Sequence, residues 1–447
     1  MNVRMVWASV ADADDLIRRW RRRLTGPTWS IIEYICYPAL LFLTTPLFLH
    51  RLGANLFGQW SLLVATVGLG TVINVGTGAA TVRQVAGALP RGGAAAAAAV
   101  VRAALIPAAA GGALAAILIA AVFGFGASSW LARMGNPATT VMTGAFAAVL
   151  LAIDQADNVF ASALRGGERF REIARIEMLV RTLQVAAAAA AVIAFGSLLS
   201  LYLALLIVAA GRVALRAWAV RRWLGTPLLP PSRSGLRFLL GDAGWGWVQG
   251  AGSMVFGLAD RFVVGSMLGA AALAHYSVAT QLAQPLHAFI AAATSVIFPK
   301  VSAAMARGDG TRLRRLLAIA FVLLAGTATL GAAALFAGRG LILRLWLGSA
   351  VAAASTPAMG WLIAAYWLLA LAVLPHYVLL GLGRMRFVAL SNLAAGAVTF
   401  VAMLWAARIA GIEGVAAARL LYGLGLLAGL VPLSALWRKN GQTSQQA

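Results

Sequence analysis

Two aspartates interrupt an otherwise apolar stretch, in the sequence AIDQADNVF. Asp154 and Asp157 are three residues apart, which places them on one face of a helix together with Asn158. A charged side chain at the centre of a bilayer costs roughly 2.5–3.5 kcal/mol on insertion scales, so both residues must face protein or water, or be protonated. The pattern predicts a site that binds a proton or a cation, and Glu33, one turn before Tyr37, is a third candidate. The alternatives are structural pairing with a neighbouring arginine and a position nearer the membrane interface.

A second set of candidates is cationic. Guanidinium groups bind phosphate oxygens in a bidentate manner, so arginines around a cavity would suit a phosphate or an acidic sugar. The arginines that we predict to line such a cavity are Arg181, Arg212 and Arg419. Arg83 and Lys300, at the inner ends of two predicted spans, could receive an anionic headgroup at the cytoplasmic mouth. The alternatives are a local pair between Arg181 and Glu177, one turn earlier, and simple anchoring of the basic ends in the cytoplasm.

Polar side chains follow helical spacing in three of the apolar stretches, which predicts polar stripes along three helices. Small and hydroxyl members of such stripes serve equally well as contacts between helices, but the larger members favour the lining of a wet cavity. These larger members are Asn74 in one stripe, Asp242 and Gln249 in another, and Gln281, Gln284 and His287 in the third.

Several classes of chemistry are not supported by the sequence. A phosphate-binding Gly-Lys-Ser/Thr loop, a His-Glu-x-x-His motif and a Gly-x-Ser-x-Gly motif are all absent, and the single cysteine, Cys36, lies in an apolar stretch. We therefore expect neither an enzyme nor a bound metal or cofactor. The work of this protein should take place within the membrane.

The elements that must position these residues are transmembrane helices. Of the 447 residues, 62% are hydrophobic and 11% are charged, which leaves too little polar surface to cover a soluble protein of this size. Long apolar stretches without strand-like alternation predict an all-α integral membrane protein. We predict twelve spans, at about 29–49, 57–81, 98–124, 138–163, 174–195, 198–219, 236–258, 274–298, 316–338, 357–381, 387–407 and 412–436.

The chain contains an internal repeat. The segment RLGANLFGQWS matches SMLGAAALAHYS at a constant offset, with Gly53 opposite Gly269 and Trp60 opposite Tyr276, and Arg169-Phe170 matches Arg386-Phe387 at nearly the same offset. The repeat divides the spans into two groups of six. The predicted organisation is a basic cytoplasmic segment at 1–27, an N-lobe at 28–222, a linker at 223–235, a C-lobe at 236–437 and a cytoplasmic tail at 438–447.

The net charge of +23 is explained by topology and needs no nucleic acid. Most of the 36 Lys and Arg residues lie in the termini and in alternate loops, which predicts cytoplasmic termini by the positive-inside rule. The predicted outer side has few cations, namely Arg51, Arg133, Arg261, Arg339, Arg344 and Arg408.

Two stretches carry a resemblance to a known family. They are RLGANLFGQWSLLVATVGLGTVINVGTGAATVRQ and the segment from Ala259 to Asp309, which contains Asp260, Leu268-Gly269, Ala274-x-Tyr276 and Phe298-Pro299. The chain resembles polysaccharide biosynthesis proteins of the Wzx type. The resemblance implies two six-helix lobes related by a pseudo-twofold axis along the membrane normal, with a V-shaped cavity between them.

The resemblance also implies a function. It suggests a flippase that moves undecaprenyl-diphosphate-linked oligosaccharide by alternating access from the inner to the outer leaflet of the bacterial inner membrane, in exchange for protons or sodium (an antiporter). The partners that the resemblance implies are membrane lipid, a polysaccharide polymerase and a chain-length regulator. An ion-coupled multidrug exporter of the same fold is the main alternative, and the arginines argue against it. A membrane oligosaccharide polymerase or ligase is a further alternative, and the short loops argue against that one.

Overall fold

The computed structural model describes residues 40–228, 257–306, 310–381 and 384–430, with side chains described throughout these ranges except at 71–76, 295–314, 381 and 385. Within them the chain forms helices and no strand. The helices are α1 (Leu40–Gly68), α2 (Gly70–Gly126), α3 (Pro137–Gly166), α4 (Phe170–Phe195), α5 (Leu198–Leu224), α6 (257–268), α7 (Ala270–Ala306), α8 (Gly310–Leu347), α9 (Ser349–Gly381), α10 (Met385–Ala418) and α11 (Leu420–Leu427). A single 3₁₀ turn spans Ala132–Met134.

Eight stretches of helix in the described part of the chain are long and apolar enough to cross a membrane. Two of them, Thr77–Gly126 and Arg386–Leu427, contain 50 and 42 residues, and at 1.5 Å per residue each is long enough for two crossings. Each of these two stretches is bent at a glycine, Gly93 in α2 and Gly411 in α10. The predicted 1–27 segment, most of the linker and the 438–447 tail lie outside the described residues.

The helices pack in two groups that follow the two halves of the sequence. In the first half, α3 contacts α2 and α5, and α4 packs against α5; in the second half, α9 is the central helix and contacts α7, α8, α10 and α11. Large apolar side chains also cover the outside, with Phe125 83% exposed and Leu345 80% exposed. Such an exterior is suited to contact with lipid. The packing of the helices in two groups agrees with the internal repeat of the sequence.

The corners of the two halves correspond to each other. Gly53 and Gly269, which are paired in the repeat, have φ angles of 74° and 94°, in the left-handed region that favours glycine. Two further pairs of corners also turn at glycines with positive φ, Gly135 with Gly348 and Gly196 with Gly411. The repeat in the sequence is therefore a repeat of backbone geometry.

Contacts between the two halves gather at one end of the molecule, which we call the closed end: the corners at 126–137 and 266–270 with the helix starts beside them. Helix α1 lies so close to α7 that a Cβ on Gly58 would be 1.9 Å from the carbonyl oxygen of Ala270. The Arg133 guanidinium donates to the carbonyl of Met267. Further along, the Trp346 indole donates to the carbonyl of Phe42 at 2.9 Å, and the two rings stack at 4.3 Å.

Candidate functional site

Six charged side chains form one chain of ion pairs across α3, α4 and α5. Each helix contributes two of them, spaced three or four residues apart and therefore on one face of that helix. Acid and base alternate along the chain, which we call the charge ladder: Asp154, Arg212, Asp157, Arg216, Glu177 and Arg181. The Arg212 Nε lies 3.1 Å from an Asp157 carboxylate oxygen, and the Arg181 Nε lies 2.8 Å from a Glu177 carboxylate oxygen.

The charge ladder has a buried middle and two accessible ends. The side chains of Asp157, Glu177 and Arg216 are at most 10% exposed, whereas those of Asp154 and Arg181 are 27% and 33% exposed. Three carboxylates balance three guanidinium groups, so the formal charge is zero. Such pairing limits the cost of placing six charges in a membrane helix bundle. The ends offer one carboxylate and one guanidinium to a ligand.

Four of the predicted site residues thus come together in this ladder. Asp154 and Asp157 were predicted as cation ligands, and Arg181 and Arg212 as cavity cations; the structure places all four in one network. The structural alternatives stated for them, a pair with a neighbouring arginine and a pair with Glu177, are both present. Sequence reasoning missed Arg216, although its position one turn after Arg212 was a usable signal.

Arg419 lies in a separate cluster, in the second half of the chain. Its guanidinium pairs with the Asp260 carboxylate, donates to the Tyr366 hydroxyl at 3.0 Å and lies 4.9 Å from the centre of the Tyr366 ring. The Tyr276 hydroxyl donates to the same carboxylate at 2.8 Å. Arg419 and Asp260 are 1% and 0% exposed, so in this conformation the predicted cavity cation is enclosed by protein.

A neutral polar cluster occupies the first half near the closed end. Gln59 donates to the Met134 carbonyl at 2.9 Å and to the Thr140 hydroxyl at 3.0 Å, and it accepts from Thr143 at 3.1 Å. The hydroxyls of Thr143 and Tyr202 are 3.1 Å apart. These contacts fasten α1 to α3, α5 and the 3₁₀ turn, and the sequence analysis did not single out any of these residues.

The remaining predicted residues are dispersed. Gln281 accepts a hydrogen bond of 2.9 Å from Thr45, across the two halves, while Gln284 is exposed and His287 is half-buried on α7. Arg83 is exposed on α2. Asn74 and Lys300 lie in α2 and α7, but their side chains are outside the described set, and Glu33, Asp242 and Gln249 lie outside the described residues. Within the described part, no group of three or more His, Cys, Asp or Glu side chains could hold a metal ion.

Comparison with known proteins places this arrangement in context. The family model described as "Polysaccharide biosynthesis protein" matches residues 25–305. A relative from Shigella flexneri, described as "Putative O-antigen transporter", is 23% identical over 386 residues, which cover 86% of this chain and 90% of the relative.

Solved structures with the same fold cover nearly the whole chain. An inward-facing multidrug resistance MATE family transporter of the MOP superfamily matches with a TM-score of 0.67 at 16% identity, over 93% of this chain and 98% of that one. The lipid II flippase MurJ, in an inward closed conformation, matches with a TM-score of 0.70 at 13% identity, over 91% of this chain and 87% of that one. The predicted fold class, an all-α membrane protein with about twelve transmembrane helices in two lobes, is confirmed.

Proposed function

Because this chain belongs to the polysaccharide biosynthesis protein family and has the fold of the MOP-superfamily transporters, we propose that it is a flippase for polyprenyl-diphosphate-linked oligosaccharide. The cargo would move from the cytoplasmic to the periplasmic leaflet of the bacterial inner membrane, with both chain termini in the cytoplasm. A sugar chain with many hydroxyls and a diphosphate cannot cross about 30 Å of hydrocarbon unaided, so the protein must supply a polar path.

The observation that carries the proposal, beside the family match, is the charge ladder. Guanidinium groups at membrane depth bind phosphate oxygens, but unpaired ones would be costly to bury. In the ladder, Arg212 is held by two carboxylates, and the outermost of these, Asp154, is partly accessible. A diphosphate that approaches this end can take the place of Asp154 on Arg212, and Asp154 is then free to bind a proton or a sodium ion.

This exchange supplies a route to ion coupling. The anionic cargo and the Asp154 carboxylate compete for one guanidinium, so the binding of a cation to Asp154 and the binding of cargo to Arg212 are thermodynamically linked. Asp157 stays paired with Arg216 throughout and keeps the ladder assembled. We propose Glu33, Arg83, Lys300 and the polar stripes (Asn74, Asp242, Gln249, Gln281, Gln284 and His287) as further contacts along the path of the cargo.

A deletion strain tests the proposed function. Lipids are extracted, polyprenyl-diphosphate-linked oligosaccharide is quantified by mass spectrometry, and its leaflet is determined. We expect accumulation in the inner leaflet, loss of surface polymer, and recovery with the intact gene. Normal lipid-linked intermediates together with raised sensitivity to cationic dyes would instead support a multidrug exporter, the function described for one of the structural neighbours.

The same strain tests the ladder. Asp154→Asn should lower the dependence of surface polymer on the ion gradient without loss of protein from the membrane. The matched control is Glu172→Gln. It alters a partly exposed pair at the start of α4, in which Glu172 and Arg169 are 3.3 Å apart. Equal ion dependence in the wild type and in Asp154→Asn would show that Asp154 has no coupling role. The deletion strain complemented with the tagged wild-type protein also allows a search for a polymerase and a chain-length regulator among co-purified proteins.

A further inference from the structure

A cavity opens at the closed end, on the seam between the two halves. It has a volume of about 530 Å³ and is lined by three segments: 129–133 after α2, 266–268 at the end of α6, and 407–408 just before the bend in α10. Both halves of the repeat therefore contribute to its wall. The ladder and the Asp260–Arg419 pair are not part of this wall, so the cavity is separate from the sites described above.

The chemistry of the wall is cationic and hydrogen-bonding. Arg133 and Arg408 line the cavity together with the hydroxyls of Ser129 and Ser266 and the indole of Trp130. All lining residues lie within the described ranges, and none of them is acidic. The nearest carboxylate along the chain, Glu413, is exposed on the far side of the bend in α10 and does not line the cavity. Two guanidinium groups without a carboxylate between them form a site for an anion.

The wall is also held in position. The guanidinium of Arg133 donates to the Met267 carbonyl of the other half, which orients its remaining N–H groups. The Trp130 ring lies against the end of α2, where a Cβ on Gly126 would be 2.6 Å from the indole nitrogen. Trp130 is nevertheless 46% exposed, as expected of an indole at a membrane interface, where tryptophan is enriched.

The position of these arginines is unexpected on topological grounds. The positive-inside rule accounts for basic residues on the cytoplasmic side, whereas the predicted outer side of this chain is poor in them. Two of its six cations, Arg133 and Arg408, nevertheless converge on one cavity from different halves. Anchoring does not explain this convergence, but a shared anionic ligand does.

We propose that this cavity binds the phosphate group of a lipid at the outer surface of the membrane, and that the bound lipid holds the two halves together there. The arginines bind the phosphate oxygens. The hydroxyls of Ser129 and Ser266 donate to the carbonyls of Phe125 and Val263, so their oxygens are left to accept hydrogen bonds from hydroxyls of the headgroup. Trp130 packs beside the headgroup at the interface. Because the wall comes from both halves, the ligand binds the closed arrangement more tightly and favours it. The outer location of the cavity rests on the orientation given under the proposed function; the binding chemistry does not.

The test uses the full chain, purified and reconstituted in phosphatidylcholine vesicles that contain phosphatidylglycerol. Retained lipid is counted by native mass spectrometry for the wild type, for Arg408→Ala, and for Arg133→Ala/Arg408→Ala. We expect the double variant to retain at least about tenfold less phosphatidylglycerol, since the loss of one charge-assisted hydrogen bond alone has about this effect. Arg339→Ala is the matched control, since Arg339 is on the same predicted side but lies over the Phe336 ring and outside the cavity.

The outcomes separate the sources of the phosphate. Parallel samples contain undecaprenyl diphosphate or inorganic phosphate in place of phosphatidylglycerol. Selective retention of phosphatidylglycerol supports a resident phospholipid, whereas binding of undecaprenyl diphosphate alone would assign the cavity to the cargo and overturn a resident lipid, and binding of inorganic phosphate alone would overturn a lipid site. Equal retention by the wild type and by Arg408→Ala, which keeps the Arg133–Met267 contact, overturns the proposal even if the double variant fails to fold. Lipid binding is measured on the purified chain and the proposed function is measured in the deletion strain. Failure of either test therefore leaves the result of the other unchanged.

The outer location is tested by labelling. Ser266→Cys in a Cys36→Ser background is treated in intact cells with a maleimide that cannot cross the inner membrane. We expect labelling from the periplasm, reduced by the bound lipid. Labelling only after the inner membrane is permeabilised would place the cavity on the cytoplasmic side and overturn the outer assignment.

Discussion

At the scale of single residues, Arg216 is the side chain whose loss should cost the most stability in the charge ladder. It pairs with both Asp157 and Glu177 and is 4% exposed. Arg216→Met leaves two buried carboxylates with one fewer counter-charge, and the expected loss of stability is about 3–5 kcal/mol. Arg181→Met, at a partly exposed end, should cost about 1 kcal/mol or less. Thermal unfolding in detergent measures both, and equal losses would show that the ladder does not act as a buried unit.

The enclosed pair of Asp260 and Arg419 separates a structural role from a functional one. Asp260→Asn leaves a buried guanidinium without its counter-ion and should lower the amount of folded protein in the membrane. The double variant Asp260→Leu/Arg419→Met removes both charges and should recover much of that amount. If the double variant is abundant but supports no surface polymer, Arg419 acts on the cargo in another conformation, as the sequence predicted. If it supports normal polymer, the pair is only a packing element.

At the scale of helices, the sequence predicted the elements better than their partners. In the described ranges, hydropathy located the helices because a membrane helix needs about 20 apolar residues, and that requirement is local. The position at which a helix ends depends less on local sequence. Helix α2 continues through the predicted boundary between two spans and bends at Gly93. Pairing is not local at all, since Arg212 reaches Asp154 over 58 positions only because α5 packs against α3. For this reason the sequence predicted the charges but left their pairing open.

The two equivalent glycine corners offer a matched test of the contact between halves. Alanine at Gly53 or at Gly269 must adopt a positive φ, which costs roughly 1–2 kcal/mol in either place. Only at Gly269 would the new Cβ also meet the other half, 2.7 Å from the Arg133 carbonyl oxygen, since nothing lies within 4 Å at Gly53. Gly269→Ala should therefore destabilise the closed end more than Gly53→Ala, measured as faster thiol labelling of Ser266→Cys. Equal labelling rates would contradict a close contact at this corner.

At the scale of the whole molecule, the two halves share a backbone but not their polar contacts. Tyr202 and Arg419 are separated by about the offset of the repeat, yet Tyr202 belongs to a neutral cluster with Thr143, and Arg419 belongs to an ionic one with Asp260. The extended ladder of charges lies in the first half. Duplication thus accounts for the architecture, and divergence of the side chains gives the described parts of the two halves different polar contacts. A sequence repeat predicts the shared architecture, but it does not predict the different polar contacts.

The proposed flippase would work by alternating access, which requires the two halves to separate at the closed end, and a reversible cross-link tests this requirement. The Phe42 and Trp346 rings stack at 4.3 Å and come from different halves, so Phe42→Cys/Trp346→Cys in a Cys36→Ser background should react with a short, cleavable bifunctional thiol reagent. We expect the cross-link to reduce oligosaccharide transport by at least about tenfold and cleavage to restore it, because two joined halves cannot rock apart. The control pair, Thr329→Cys/Trp367→Cys, joins two helices of the second half whose side chains are 3.0 Å apart, and it should leave transport unchanged. Full transport by the cross-linked protein would mean that the halves stay together at this end, and that the cargo leaves by another route.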